Sequence, residues 1–525
     1  MLRAVGAISL FTLLSRILGF VRDMIIARVL GAGMGADAFF VAQKLPNFLR
    51  RLFAEGAFSA AFVPVFSDYA QKEGEEGARQ AREMVNAVFT TLSLILLGLM
   101  VVMQLAMPLI VMIEAPGFQM QDPAKFNLTV ELSRVTLPFI FFVSLTALAA
   151  GVLNTYHHFA APALAPCLLN LAIIAAGLWL SPRMDEPAMG LAWGLLLGGA
   201  LQLLLQLPPL AKRGFHLRLL WRPDHPAIRR ILTIMAPALL GVSVAQISFL
   251  IDIFIASWLP EGSISYLYYA DRVMELPLGL VGVAMGAAIL PALSAHASRG
   301  DMASLRHDLD FALRMVTFIN LPAAVGLIVL RDPVIQLLFQ RGAFGPDAAR
   351  LTADALLAFS LGLIGYSAVK VLAPAFYALK EIRIPVRIAI VSLAATIVMN
   401  LLFMIPLKHV GLALSTALAS YLNMILLIRQ LKIRTGFTPG RRYLVTLGKS
   451  LTACIVMGGA LLGGIELFWR NDLTMLQQTL VLLPLTACGA LLYFAVAWLI
   501  RMEEIRALPG LFSRKRQGVG AKAGE

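Results

Sequence analysis

Charge is scarce in this sequence. Asp, Glu, Lys and Arg make up 14% of its 525 residues, against about 25% in an ordinary soluble domain. A chain this long cannot cover its own surface with so few charges. That excludes a soluble enzyme, a disordered chain and a collagen-like one. Cysteine is nearly missing: Cys167, Cys454 and Cys488 all lie inside apolar runs, so neither a disulfide framework nor a cysteine metal site has its spacing. No glycine-rich phosphate loop follows a strand pattern. The longest connections, such as Asp332–Arg350 and Lys212–Arg230, hold about twenty residues, too few for a nucleotide-binding domain. What is present is apolar, at 59% of residues and a mean hydropathy of +0.80. The composition is that of a polytopic membrane protein.

A transmembrane helix needs about 20 mostly apolar residues. On that scale the chain holds about fourteen spans. The first six fall near 5–30, 36–66, 85–113, 129–153, 160–181 and 187–210. The next six fall near 231–258, 265–295, 311–331, 351–379, 384–406 and 410–431, and the last two near 444–468 and 475–500. The alternating segments of roughly ten residues that build a β-barrel are absent. The expected fold is an all-α polytopic bundle.

Connections after even-numbered spans hold roughly 24 Lys and Arg, against roughly seven after odd-numbered ones. The rich side includes Lys212, Arg213, Arg218, Arg222, Arg229 and Arg230, then Lys432, Arg434, Arg441 and Arg442, then Arg514, Lys515 and Arg516. The positive-inside rule puts both termini in the cytoplasm. It accounts for the net charge of +14 without nucleic acid. Basic clusters beside a membrane also attract anionic lipid headgroups. Arg16 interrupts the first apolar run and no small-residue cleavage site follows, so that run reads as a retained helix rather than a signal peptide.

The chain repeats at a period of about 225 residues, as repeat-built transporters do. Gly190-Leu191-Ala192 with Gln202 matches Gly411-Leu412-Ala413 with Asn423, and Tyr156-to-Pro162 matches Leu379-to-Pro385. Asp23, Ala27, Leu30, Gly33, Phe39 and Phe40 parallel Asp252, Ala256, Leu259, Gly262, Tyr268 and Tyr269. The expected organisation is an N-terminal six-span lobe at 1–212, a second at 226–434, two additional helices at 443–501 and a tail at 502–525.

Charges inside the spans cost at least about 2.5–3.5 kcal/mol each and read as functional. Span 1 carries Arg16, Arg22 and Asp23. Span 2 carries Asp37, Lys44 and Arg51 at every seventh position, with Glu55 four beyond and Asn47 and Arg50 alongside, so one helix face holds a polar stripe. Pro46 within that stripe should bend the helix or free a carbonyl. Span 8 carries Tyr268, Asp271, Arg272 and Glu275 on neighbouring turns. Gly282 and Gly286 beyond them form a step that permits close helix packing. Asp252 and Lys370 complete the set. Interhelical neutralisation of an arginine by Asp23 or Asp37 is the bland alternative. Cations nevertheless outnumber carboxylates slightly, which points to an anionic ligand. Arginine's planar fork suits phosphate oxygens, so a lipid-linked diphosphate fits. His157 and His158 read as a solvated turn. Energy must come from an ion gradient, the membrane potential or the substrate's own gradient.

At these residues the sequence resembles a known family. The run SRILGFVRDMIIARVLGAGMGADAFFVAQKLPNFLRRLFAEGAFSAAFVPVF (Ser15–Phe66), with YYADRVMELPLGLVGVAMGAAILP (Tyr268–Pro291) and KVLAPAFYA (Lys370–Ala378), is similar to the MurJ/MviN family of lipid II flippases. That family sits within the multidrug/oligosaccharidyl-lipid/polysaccharide exporter superfamily. The resemblance implies two six-helix lobes around a cationic cavity and two last helices that cradle the polyprenyl tail. It implies no enzymatic activity but transport of lipid-linked peptidoglycan precursor to the periplasmic leaflet of the bacterial inner membrane, with membrane lipids and cell-wall synthesis proteins as the other partners. It assigns substrate binding to Arg16, Arg22, Asp37, Arg50, Arg51, Arg272 and Glu275, of which Arg22, Arg50 and Arg272 are the expected diphosphate ligands. Asp23, Lys44, Asn47, Glu55, Asp271 and Lys370 are supporting cavity charges. No cofactor is implied beyond sodium or potential coupling. A sodium site of some members maps to Asp252, Asn400 and Thr416, where Asn400 offers an amide in place of a second carboxylate. The alternatives are a flippase for another polyprenyl-diphosphate oligosaccharide of O-antigen type, a multidrug antiporter and an integral-membrane glycosyltransferase.

Overall fold

The computed structural model describes residues 2–51, 58–470 and 473–506. Every regular element among them is helical, as a bilayer demands: with no water to satisfy backbone N–H and C=O groups, a helix satisfies them within itself. The first eleven are α1 (Leu2–Leu30), α2 (Met34–Leu49), α3 (Phe58–Ala70), α4 (Gly74–Leu105), α5 (Met107–Glu114), α6 (Pro116–Gln121), α7 (Pro123–Thr136), α8 (Phe139–Thr155), α9 (Ala160–Ala175), α10 (Pro187–Ala211) and α11 (Pro226–Ala256). Then follow α12 (Ser263–Pro277), α13 (Ala284–Arg299), α14 (Met302–Val329), α15 (Arg331–Phe339), α16 (Pro346–Leu361), α17 (Leu363–Ala378), α18 (Arg383–Thr435), α19 (Arg441–Phe468) and α20 (Met475–Leu499). Prolines open α6, α7, α10 and α11, where the missing N–H costs nothing and the ring fixes a helical φ.

By length and composition, eight helices among the described residues can cross a membrane, and nine if α16 and α17, bent by 42°, form one broken span. The expected fourteen stretches are nearly all helical even so. One counted helix, α18, breaks at Lys408, whose φ of 51° and ψ of −131° leave the helical region. The break falls between expected spans 11 and 12. The helices over expected spans 1, 2, 7 and 8 fall outside the counted set, and spans 1, 2 and 8 are the ones richest in intramembrane charge.

The described residues divide into two compact units, Met1–Ser265 with Phe339–Ala348, and Tyr266–Leu338 with Ala349–Glu525. In the first, α3, α4, α8 and the start of α11 share an aromatic core in which Phe58, Phe62 and Phe66 stack at 5.3 and 5.5 Å. Thus α11, which the duplication assigns to the second lobe, packs with the first. In the second unit α13, α14, α17 and α18 share a core around Leu309, Val371 and Phe376. There α19 and α20 pack on α14, with the Tyr493 hydroxyl donating to the Phe318 carbonyl at 2.7 Å. The described segment after α20, residues 500–506, is docked through Glu504. Glu504 accepts from buried Arg314 at 2.7 Å and from the Thr446 hydroxyl at 2.7 Å. The expected close step at Gly282 and Gly286 is present: a Cβ on Gly286 would lie 2.3 Å from the Lys370 carbonyl oxygen, so α13 and α17 touch backbone to backbone there.

Candidate substrate site

The polar stripe of α2 runs from a buried start to an exposed end. Asp37 is 1% exposed, Lys44, Asn47 and Arg50 are half-buried, and Arg51 is exposed. Pro46 sits inside α2 without ending it, and the chain widens into a π-type turn at Arg50 and Arg51. Such turns concentrate at functional sites. The Arg50 Nε donates to Asn47 Oδ1 at 3.3 Å. Glu55 lies outside the described residues.

Asp37 is not poised for a ligand. Its carboxylate meets Lys125 Nζ at 2.6 Å and accepts from Gly262 N at 2.8 Å, Ser265 N at 2.9 Å and Ser265 Oγ at 2.6 Å. Four donors use the oxygens to capacity. The expected substrate contact at Asp37 is therefore corrected: its carboxylate caps the start of α12, where helix N–H groups lack intrahelical partners. The cap is reciprocated. Glu261, in the turn before α12, accepts from Met34 N at 2.6 Å and so caps α2. Lys125, which also lies 4.2 Å from the Phe118 ring centroid, carried no signal in the sequence: it follows Pro123 in what reads as a polar connection.

On α1, Arg22 grips Asp23 through Nη2 and Nε at 2.7 and 3.0 Å and reaches Asn170 Oδ1 on α9 through Nη1 at 3.1 Å. Asn170 is itself fixed, donating from Nδ2 to the Ser15 carbonyl at 3.0 Å. The neutralising role weighed for Asp23 is thus real. Its consequence is a guanidinium already oriented, 17% exposed, beside a carboxylate that an incoming anion can replace. Arg16, two turns earlier, is exposed, and among the described residues no carboxylate lies within ion-pair distance of it.

In the second unit Arg272 repeats the arrangement. Nη1 donates to Glu275 Oε2 at 3.0 Å and Nη2 to the Tyr268 hydroxyl at 3.2 Å, and the guanidinium lies 4.9 Å from the Tyr268 ring centroid. Glu275 is half exposed and so positions Arg272 rather than burying it. Asp271 is half-buried and Lys370 exposed. Of the sodium-site positions, Asp252 is half-buried in the first unit. In the second, Asn400 is fully buried and Thr416 donates its hydroxyl proton to the Leu412 carbonyl at 3.0 Å. No group of three or more His, Cys, Asp or Glu side chains is placed to hold a metal among the described residues.

The arrangement can hold an anion by exchange: each arginine can trade a neighbouring oxygen for a phosphate oxygen.

Comparison with known proteins bears on what that anion is. The family model described as "Lipid II flippase MurJ" matches residues 26–482. A probable lipid II flippase MurJ from Vibrio cholerae is 39% identical over 513 residues, covering 95% of this chain and 96% of its own. The lipid II flippase MurJ of Burkholderia cenocepacia is 39% identical over 507 residues, with 95% and 97% covered. Among solved structures, a lipid II flippase MurJ in an inward closed conformation matches with a TM-score of 0.76 at 28% identity, covering 94% of this chain and 98% of its own. An inward-facing multidrug transporter of the MATE family matches at a TM-score of 0.65 and 18% identity, over 80% and 94% of the chains. That last likeness is one of fold alone.

Proposed function

The chain belongs to the MurJ family of lipid II flippases, and from that membership we propose that it carries lipid II from the cytoplasmic to the periplasmic leaflet of the bacterial inner membrane, with both termini cytoplasmic. It acts as a transporter and performs no covalent chemistry. Arg22, Arg50 and Arg272 hold the diphosphate, Arg16 and Arg51 add positive field at the approaches, and Asp23 and Glu275 keep two of the forks oriented between cycles. The observation that carries this reading is the pairing of Arg22 with Asp23 and with Asn170, in a chain whose residues 26–482 match the family. A guanidinium so held loses little entropy on binding and has an oxygen partner to exchange.

Alternating exposure of the site to the two leaflets follows from differential affinity: an anion that binds one state more tightly shifts the population towards it. The driving force is assigned to the membrane potential, which, negative inside, is worth about 2.3 kcal/mol per full charge moved outward per 100 mV. Sodium is the weaker choice, since Asp252, Asn400 and Thr416 supply a single carboxylate.

The test is flipping of labelled lipid II by the purified full chain in proteoliposomes. Arg22→Ala, Arg50→Ala and Arg272→Ala should each abolish flipping while protein levels persist. Parental flipping by all three would overturn the assignment. Collapse of the potential should slow the reaction, and an unchanged rate would remove that driving force.

A further inference from the structure

Away from the arginines of the transport path, α1, the start of α9 and the end of α10 line an open cleft of about 340 Å³, within the range of about 300–1,000 Å³ typical of small-ligand sites. Its walls are apolar: Phe11 from α1, Ala161 and Leu164 from α9, Leu205 from α10. Its rim is basic, formed by Lys212 and Arg213 at the end of α10 with His158 from the turn before α9. Arg82 stands next to them, its Nη2 3.2 Å from where a Cβ on Gly214 would sit. Among the described residues no carboxylate lies within ion-pair distance of Arg82, Lys212 or Arg213, although Arg222 and Arg230 nearby in sequence are paired with Glu83 and Asp68.

We propose that this cleft is a binding site for an anionic glycerophospholipid, its phosphate on Lys212 and Arg213 and one acyl chain between Phe11, Leu164 and Leu205. Charge complementarity at the rim calls for the anion. The walls call for a chain attached to it, because a free phosphate gains nothing from them. On the same three helices Leu13, Leu171, Leu197 and Leu204 are 40–60% exposed, as apolar side chains of a membrane-spanning chain are. Burial and the adjacent Arg213 both hold the His158 imidazole below its ordinary range, so the ring is a neutral hydrogen-bonding partner for a headgroup rather than a third cation.

Arg213 has a local duty, donating to the Pro209 carbonyl at 3.3 Å at the end of its helix. The decisive variants therefore spare it. Lys212 is exposed, and Lys212→Gln should weaken binding of phosphatidylglycerol to the detergent-purified full chain by roughly tenfold, with the unfolding temperature unchanged. Ala161→Phe should fill the cleft and weaken it at least as much. Phosphatidylcholine with the same acyl chains should bind roughly tenfold more weakly than phosphatidylglycerol. A photoreactive side chain at Leu164 should capture phosphatidylglycerol from mixed vesicles. Equal affinity for the two lipids, parental binding by both variants, or capture of no lipid would overturn the site. Displacement of the lipid by millimolar inorganic phosphate or by an acidic peptide would reassign it and equally refute the proposal. None of these readouts depends on flipping, so the lipid II assignment stands or falls separately.

Discussion

Asp37 and Lys125 lie 88 positions apart and meet at 2.6 Å with both side chains almost wholly withdrawn from the surface. Removing one partner of such a pair strands the other charge. Lys125→Met is expected to cost about 3–5 kcal/mol of stability. The double variant Asp37→Asn, Lys125→Met should cost less than the sum of the two single changes. Thermal unfolding of the four proteins in detergent checks this, and additive costs would mean that the two groups act independently.

Asp23 competes with any anion for Arg22. Asp23→Asn should therefore tighten lipid II binding by roughly tenfold or more, one charge-assisted hydrogen bond being worth about 1.5–3 kcal/mol, and should slow turnover because release loses its exchange partner. Equilibrium binding and flipping measured on the same preparation separate the two effects. Looser binding with slower flipping would show that Asp23 serves only to orient the fork.

Arg272→Lys should fail in flipping nearly as completely as Arg272→Ala. An ammonium cannot reach Glu275 and the Tyr268 hydroxyl while also presenting a planar pair of donors. Flipping by Arg272→Lys near the parental rate would mean that charge alone suffices there.

The backbone contact between α13 and α17 predicts a steep steric series. Gly286→Ala places a methyl 2.3 Å from the Lys370 carbonyl oxygen, whereas Gly282→Ala meets Ser367 at 3.1 Å. Overpacking of this kind costs about 1–3 kcal/mol, so the first change should lower the unfolding temperature clearly more than the second.

His225 accepts a hydrogen bond from Ala227 N at 3.2 Å and so caps α11. Burial, and secondarily the charge of Arg222, depress its pKa, while Glu83 opposes them. A group whose folded pKa is lowered contributes stability above its unfolded value, about 6.5, and loses it as pH falls through the folded one. Mild acid should destabilise the parent, and His225→Asn, which caps without titrating in this range, should lessen that dependence.

Much of this architecture was legible because the bilayer sets a length scale. Runs of apolar residues located nearly every helix, and the loop lysines and arginines explained the net charge. The pairings were not legible. Arg22 and Asp23 are consecutive, and consecutive helical residues point about 100° apart, so only the reach of an arginine side chain joins them. Lys125 reads as part of a polar connection, yet it is the buried partner of Asp37. The grouping of α11 with the first unit was likewise hidden, since duplication records ancestry and packing follows shape. Glu504 looked like part of a solvated tail and turned out to be seated against Arg314.

Gly33 and Gly262 are equivalent positions of the duplicated sequence, and each opens a helix whose first N–H groups are satisfied by a carboxylate from the other copy's segment: Glu261 serves Met34, and Asp37 serves Gly262 and Ser265. Two once-identical turns have thereby become unlike halves of one clasp. Neither copy could be exchanged for its sibling without unfastening both, so the asymmetry of this pair, and not the symmetry of the repeat, is what ties the beginnings of α2 and α12 together.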